Sequence, residues 1–107
     1  MSLALQAARE AAADGEVPVG AVIVKGDKVI AVAGNATRTP PDPTGHAELR
    51  AIRMAAEALG EDRLVACDLY VTLEPCAMCA GAIAHARIAR LYYAASDPKG
   101  GAVEHGA

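Results

Sequence analysis

The sequence contains neither phenylalanine nor tryptophan, and its aromatic residues amount to three tyrosines. A broad aromatic platform for stacking single-stranded bases is therefore excluded, and the core must be built mainly from Ala, Val, Leu and Ile. No apolar run is long enough to cross a bilayer, and residues 1–10 lack the basic start and apolar block of a secretory signal. We therefore expect a cytoplasmic protein that has no membrane partner.

Cysteine and positive charge are also scarce. The three cysteines are an odd number and do not make a disulfide framework, so in a reducing compartment they are expected to be ligands or buried thiols. The net charge of −3 removes any argument from a globally basic surface toward nucleic acid, although it leaves room for a local basic face. With 107 residues, 53% of them hydrophobic and 21% charged, the chain is predicted to form one globular domain, residues 1–107.

Hydrophobic spacing and turn residues predict an alternation of short helices and strands. Helices are expected at 2–13, where Ser2 would be the cap, at 46–59, and at 76–86, where Pro75 would take the first helical position. Strands are expected at 17–24, 28–33, 69–73 and 88–94, with loops at 35–45 and 96–107. A hairpin followed by a strand–helix–strand crossover predicts an α/β fold with a mixed sheet and helices on its faces.

The sequence Pro75-Cys76-Ala77-Met78-Cys79 places two cysteines three residues apart at the start of a predicted helix. They would share a helix face, and the helix N-terminus stabilises the thiolate that binds metal. If the helix that begins near His46 starts beside them, two sulfurs and one imidazole suit zinc and leave a fourth position for water. An open position is typical of a catalytic site.

Glu48, two residues after His46, could stand beside such a metal and move protons to and from its water. Each piece has an ordinary alternative when taken alone. The cysteines could be a redox pair, half of a structural zinc site or buried thiols, and His46 and Glu48 could be a cap and a dipole partner. The joint pattern favours a catalytic zinc centre.

His46-Ala47-Glu48 followed by Pro75-Cys76-Ala77-Met78-Cys79 is the signature of the zinc-dependent cytidine and nucleobase deaminases. Further blocks resemble the bacterial tRNA-specific adenosine deaminases, namely residues 16–22, 42–44, 69–76 and 97–102. Guanine deaminases share several of these blocks. The similarity covers nearly all of the chain.

The resemblance implies a three-layer α/β/α fold of the cytidine-deaminase type and one Zn²⁺ per chain, held by His46, Cys76 and Cys79. Glu48 would carry the proton of the zinc-activated water to N1 of adenine while hydroxide attacks C6. The implied substrate is the wobble adenosine of a tRNA anticodon stem-loop, converted to inosine, and the implied assembly is a homodimer.

The resemblance also implies three substrate contacts. Asn35 would hydrogen-bond the base, and the backbone N–H of Ala47 would lie near the polar edge of the purine. Asp97 falls where the family contacts the neighbouring nucleotide, but it is equally well explained as a turn residue before Pro98.

Two alternatives stay open at this point. A free-base deaminase that acts on guanine or cytosine would use the same zinc chemistry. A structural zinc module would bind a partner without catalysis, but it does not need Glu48 and usually has four protein ligands. The resembling family normally continues with another strand and a terminal helix that help to bind tRNA, so we expect that the chain is C-terminally incomplete.

Overall fold

In the computed structural model, which describes residues 1–104, three helices and four strands alternate along the chain. In chain order they are α1 (Ser2–Ala13), β1 (Gly20–Lys25), β2 (Lys28–Gly34), α2 (Ala47–Leu59), β3 (Cys67–Leu73), α3 (Ala77–Ala86) and β4 (Arg90–Ala95). The predicted order of elements is therefore confirmed. The last three residues of the predicted loop at 96–107 lie outside the described residues.

The four strands form one mixed sheet in the order β2-β1-β3-β4. Strand β1 is antiparallel to both β2 and β3, whereas β3 and β4 are parallel. In this register Gly20 lies opposite Gly34, Ala21 opposite Val71, and Leu73 opposite Ala95. The start of β1 and the ends of the other three strands therefore lie side by side at one end of the sheet. We call this row of strand termini the site edge.

Helices cover both faces of the sheet, which confirms the predicted three-layer α/β/α arrangement. On one face, a buried cluster joins β1 and β3 to α2 and to the end of α3; it includes Ile23, Leu69, Val71, Ala51 and Ala86. Side chains alternate along a strand, so the neighbouring positions of β1 and β2 point to the other face. Helix α1 packs there, where Gly20 and Gly34 lie directly beneath its backbone.

Three local predictions were wrong in detail. Strand β1 begins at Gly20, not at residue 17, because Pro18 has no N–H to contribute to a ladder. Ser2 does not cap α1, since the helix begins after Met1 and makes no side-chain cap bond. Pro75 lies before the N-cap residue Cys76, so it fixes the entry of the chain into α3 from outside the helix.

Within residues 1–104, no helix has the length and apolar character that a membrane crossing requires.

Close packing of α1 depends on the absence of a side chain at Gly20. A Cβ atom there would lie 2.0 Å from the carbonyl oxygen of Ala4 and 2.7 Å from the amide nitrogen of Ala8. We expect Gly20→Ala to lower the free energy of unfolding by about 1–3 kcal/mol, because helix backbone cannot yield as a flexible side chain can. Urea unfolding followed by circular dichroism measures this change.

Gly81→Ala is the matched control, since nothing lies within 4 Å of a Cβ at this helical position. The methyl group should there stabilise the protein by up to about 1 kcal/mol through helix propensity. Equal effects at the two glycines would contradict the packing argument.

Candidate metal centre and active site

Helices α2 and α3 both begin at the site edge, and their N-cap residues are His46 and Cys76. Both residues have extended backbone conformation, and neither side chain makes a hydrogen bond that caps its own helix. Cys79 lies in the first turn of α3 and is fully buried. The imidazole and the thiol of Cys76 therefore point across the gap between the two helix starts.

The three side chains meet in a group that could hold a metal ion. The Nδ1 atom of His46 lies 3.7 Å from Sγ of Cys76 and 3.5 Å from Sγ of Cys79. All three ligand atoms lie within 4.8 Å of one another. Tetrahedral zinc with ordinary Zn–S and Zn–N bonds places sulfur and nitrogen about 3.6 Å apart. The donor set and its spacing thus fit a tetrahedral cation that keeps its fourth position for a small ligand.

The Cys79 thiol shows what such a cation must overcome. Burial raises its pKa far above the usual range, and the nearby Glu48 and Cys76 raise it further. The helix N-terminus alone was expected to favour the thiolate, but loss of hydration outweighs the helix dipole at this depth. A thiolate ligand at neutral pH therefore needs the charge of a bound cation.

Glu48 lies in the first turn of α2 and is only 4% exposed. Burial raises the pKa of its carboxyl group, while its own backbone N–H, the charge of His46 and the Cys79 side chain act in the opposite direction. Glu48 is not a member of the three-residue metal group. It lines the same cavity as His46 and Cys76 and is the candidate acid/base group of the site.

A cavity of about 220 Å³ opens over these residues at the site edge. Its polar lining residues are Asn35, His46, Glu48, Glu74, Cys76 and Asp97. Cys79 and Ala47 are fully buried and are not among the lining residues. The cavity therefore brings a bound molecule into contact with the acid/base group and with two of the three candidate ligands.

Asn35 and Ala47 interact directly with each other. The Oδ1 atom of Asn35 accepts a hydrogen bond of 2.8 Å from the backbone N–H of Ala47, the first residue of α2. This bond satisfies one of the unpaired N–H groups at the helix start. Because the oxygen of Asn35 is engaged, its remaining hydrogen-bonding group is the amide NH₂, which is a donor. The N–H of Ala47 is engaged by Asn35 in this structure.

The loop that carries Asn35 is anchored by carboxylates. Glu16 accepts hydrogen bonds from the backbone N–H groups of Thr37 and Arg38, at 2.9 and 3.1 Å. The Thr37 bond is the main cause of the lowered pKa of Glu16. At the other end of the loop, Asp42 accepts from the hydroxyl and N–H of Thr44, and the hydroxyl bond is the main reason that its pKa is lowered. These bonds hold the loop near its start and near its end.

Asp97 fits both of the interpretations that the sequence allowed. Its Oδ1 atom accepts from the N–H groups of Lys99 and Gly100, each at 3.1 Å, which is a turn arrangement. It also lines the cavity. The turn therefore presents Asp97 at the site.

Sequence reasoning missed Glu74, which is 3% exposed and lines the cavity. The signal was an acidic residue at the end of a buried strand, directly before the Pro-Cys-x-x-Cys motif. Buried carboxylates are rare unless they are paired or hydrogen-bonded, so this position called for an explanation. The stacking of Tyr70 on Tyr92, with ring centroids 4.8 Å apart, was also not foreseen.

Comparisons with known proteins agree with this geometry. The model of the MafB19-like deaminase family matches residues 1–105. The tRNA-specific adenosine deaminase of Agrobacterium fabrum is 63% identical over 106 residues, which are 99% of this chain and 70% of that protein.

Two solved structures are similar throughout the fold. One comes from a study of A-to-I editing by tRNA:A34 deaminases at the wobble position; it is 63% identical, has a TM-score of 0.97 and is covered over 77% of its length. The other, guanine deaminase from Bacillus subtilis, is 46% identical with a TM-score of 0.86 and is covered over 61% of its length.

Removing one thiol separates metal binding from general packing. We expect Cys79→Ala to lose its bound zinc, because two ligands hold the ion far more weakly than three. Metal content per chain, measured by inductively coupled plasma mass spectrometry after purification in zinc-containing buffer, should fall from one to near zero.

Cys67→Ala is the matched control. Cys67 is also buried, but it lies at the start of β3, the end of that strand that is far from the site edge. This variant should keep its zinc. Full zinc content in the Cys79 variant would show that the ligand assignment is wrong.

Proposed function

Because the chain belongs to the MafB19-like deaminase family, we propose that it hydrolyses adenosine to inosine at the wobble position of a tRNA anticodon. The observation that carries this proposal is the buried Glu48 beside the His46, Cys76 and Cys79 group, with Glu48, His46 and Cys76 lining one cavity. A deaminase needs a metal site with an open position and an acid/base group beside it, and a structural zinc module needs neither. The relatives named tRNA-specific adenosine deaminase support the choice of substrate.

We assign Zn²⁺ to the metal group on the chemistry of its donors. Two thiolates and one imidazole are ligands that bind zinc. Magnesium and calcium take oxygen ligands instead. When bound, Zn²⁺ lowers the pKa of a water molecule so that hydroxide is available near neutral pH. His46, Cys76 and Cys79 would hold the ion between the starts of α2 and α3.

Glu48 would carry the protons of the reaction. Its carboxylate takes a proton from the attacking water and delivers it to N1 of adenine, while the water oxygen bonds to C6. Glu48 then takes the proton of the new C6 hydroxyl and hands it to the amino group as the C6–N6 bond breaks, so that ammonia leaves and inosine, with its C6 carbonyl and N1–H, remains. The low exposure of Glu48 keeps bulk water from competing for these protons.

Three residues would orient the base in the cavity. The amide NH₂ of Asn35 can donate to a ring nitrogen of the purine, since the Asn35 oxygen already holds Ala47. Ala47 then acts through this bond, which fixes both the amide and the helix start. Asp97 faces the cavity from the opposite loop, where the nucleotide next to the target would pass.

A tRNA anticodon is a suitable target for such a cavity. An unpaired loop nucleotide costs less to extrude than a paired one, and the cavity accepts only an extruded base. Exposed cations near the site, such as Lys99, would contact phosphates. Because the proposed substrate is a tRNA, we also propose that the protein acts in the cytoplasm. We further propose that residues 1–107 form one domain.

The second candidate is a guanine deaminase. Its support is the solved guanine deaminase that matches at 46% identity, together with the fact that both reactions use the same metal group and carboxylate. The two functions differ in what surrounds the base. A free base needs no path for flanking nucleotides, whereas the anticodon does.

The deciding experiment offers two substrates separately to the zinc-loaded protein: an anticodon stem-loop RNA with adenosine at the wobble position, and free guanine. We expect inosine in the RNA and no xanthine from guanine, as measured by mass spectrometry. Glu48→Gln should keep its zinc but lower kcat by about 10²–10⁴-fold, because only proton transfer is lost.

Xanthine without inosine would overturn the tRNA proposal in favour of the guanine reaction. Neither product from a zinc-loaded protein would contradict both candidates. Full turnover in the Glu48 variant would remove the proton-transfer role from this residue.

We also propose that the protein forms a homodimer through α3. This helix has no charged residue apart from the titratable His85, and only Cys79 and Ala86 are buried. A helix that is apolar on all sides is normally covered. An uncharged face meets least repulsion from an identical uncharged face, so a second copy of the chain is the partner that we expect.

Met78→Glu should shift the protein from dimer to monomer in analytical ultracentrifugation, since it places a charge on each copy of the α3 face. Met54→Glu is the matched control, because Met54 on α2 is 43% exposed and Met78 is 39% exposed. A dimer that survives Met78→Glu with zinc still bound would contradict an interface at this helix.

A further inference from the structure

Glu74 is a buried carboxylate to which neither the metal group nor the acid/base chemistry gives a role. It follows the last residue of β3 at the site edge and is 3% exposed. Its Oε1 atom accepts a hydrogen bond of 3.0 Å from the backbone N–H of Asp97. Its Oε2 atom accepts from the N–H groups of Val103 and Glu104, at 2.9 and 2.7 Å. The Glu74 carboxylate thus binds the backbone at both ends of the segment 97–104.

The same segment is shaped to fit around this carboxylate. At Gly101, an added Cβ would lie 2.3 Å from Cδ of Glu74 and 2.5 Å from each of its oxygens. The next residue, Ala102, donates its N–H to the carbonyl oxygen of Pro75 at 2.9 Å. The segment therefore wraps the carboxylate closely and is tied to the chain that leads into α3.

We call the hydrogen bonds between the Glu74 carboxylate and the segment 97–104 the tether. The tether has a direct consequence for the cavity. Asp97 lines the cavity, and its backbone N–H is held by Glu74. Asp97 in turn fixes the turn at Lys99 and Gly100. Hydrogen bonds to a charged acceptor are about twice as strong as neutral ones, so the carboxylate of Glu74 holds the segment more strongly than a neutral acceptor would.

We propose that Glu74 is a positioning residue that holds the segment 97–104, and with it the cavity-lining Asp97, and thereby sets the affinity for the nucleotides that flank the target base. The inference rests on the proposed function, because only a polynucleotide substrate has flanking nucleotides. Glu74 lies outside the metal group and acts through the segment. Its loss should therefore raise KM for RNA more than it lowers kcat.

Glu74→Gln is the first test, because it keeps the shape of the side chain and removes one acceptor. An amide presents its oxygen to one side only. Among residues 1–104, two N–H donors approach Oε2 and one approaches Oε1, so the bond to Asp97 should be the one that is lost. We expect KM for the anticodon stem-loop to rise about tenfold, the effect of losing one hydrogen bond to a charged group. The zinc content should not change, and kcat should stay within about twofold.

Glu57→Gln is the control for the change in charge, since Glu57 is exposed on α2. Its KM should equal that of the unaltered protein. An equal rise in KM in both variants would reduce the effect to net charge and would overturn the proposal.

A double-mutant cycle with Gly101→Ala tests the contact itself. Alone, Gly101→Ala should raise KM because its methyl group displaces the segment from an intact carboxylate. Combined with Glu74→Ala, which removes the clashing atoms, the same methyl group should add little. Strictly additive effects would contradict a direct contact between the two residues.

Limited trypsin digestion tests the tether without any activity. Cleavage after Lys99, measured by mass spectrometry relative to cleavage after Arg38 in the other loop, should increase in the Glu74 variants and in Gly101→Ala. Unchanged cleavage would overturn the tether even if the RNA is a substrate. Increased cleavage in a protein that does not act on RNA would instead keep the tether and reject the proposed substrate.

Discussion

The register of the sheet is the constraint on which the rest of the structure depends. Because β1 runs against β2 and β3, and β4 runs parallel to β3, the start of β1 and the ends of the other strands share one edge. The residues just beyond that edge, among them Asn35, Glu74 and Asp97, come from three separate parts of the chain. A shift of one residue between β1 and β3 would turn the inward side chains to the other face and would separate these groups. The site is therefore a property of strand pairing as much as of any local motif.

Burial at this edge makes charge costly at three acidic side chains, and two different solutions offset that cost at two of them. Glu48 and Cys79 are made less acidic by loss of hydration, and a metal ion is the partner that offsets this for the thiol. Glu74 is offset by backbone N–H groups, which carry no net charge and cannot be titrated away. The first solution would leave a reactive centre and the second holds the segment 97–104 in place, so we propose that the two buried glutamates divide chemistry and shape between them.

The element order and a mixed sheet with helices on its faces could be predicted from the sequence, because hydrophobic spacing and Gly or Pro punctuation report local structure directly. The three-layer arrangement was implied by the family resemblance. The candidate metal group could also be predicted, since His46, Cys76 and Cys79 lie in short motifs at helix starts. Boundaries failed where one residue decides them, as at Pro18 and Pro75. The tether at Glu74 could not be predicted, because its partners lie 23 to 30 residues away and are backbone groups without a side-chain signature.

The bond between Asn35 and Ala47 shows why recognition and scaffold are hard to separate at this site. A helix start needs an acceptor for its first N–H groups, and His46, the N-cap residue, supplies none because its ring points toward the thiols. Asn35, which directly follows β2, supplies the acceptor: its Oδ1 atom lies 2.8 Å from the backbone nitrogen of Ala47. The histidine is thereby released for ligation, and the asparagine amide is oriented toward the cavity by the same bond. One interaction supports the helix, the candidate metal group and the proposed base contact together, so a change at Asn35 should affect all three.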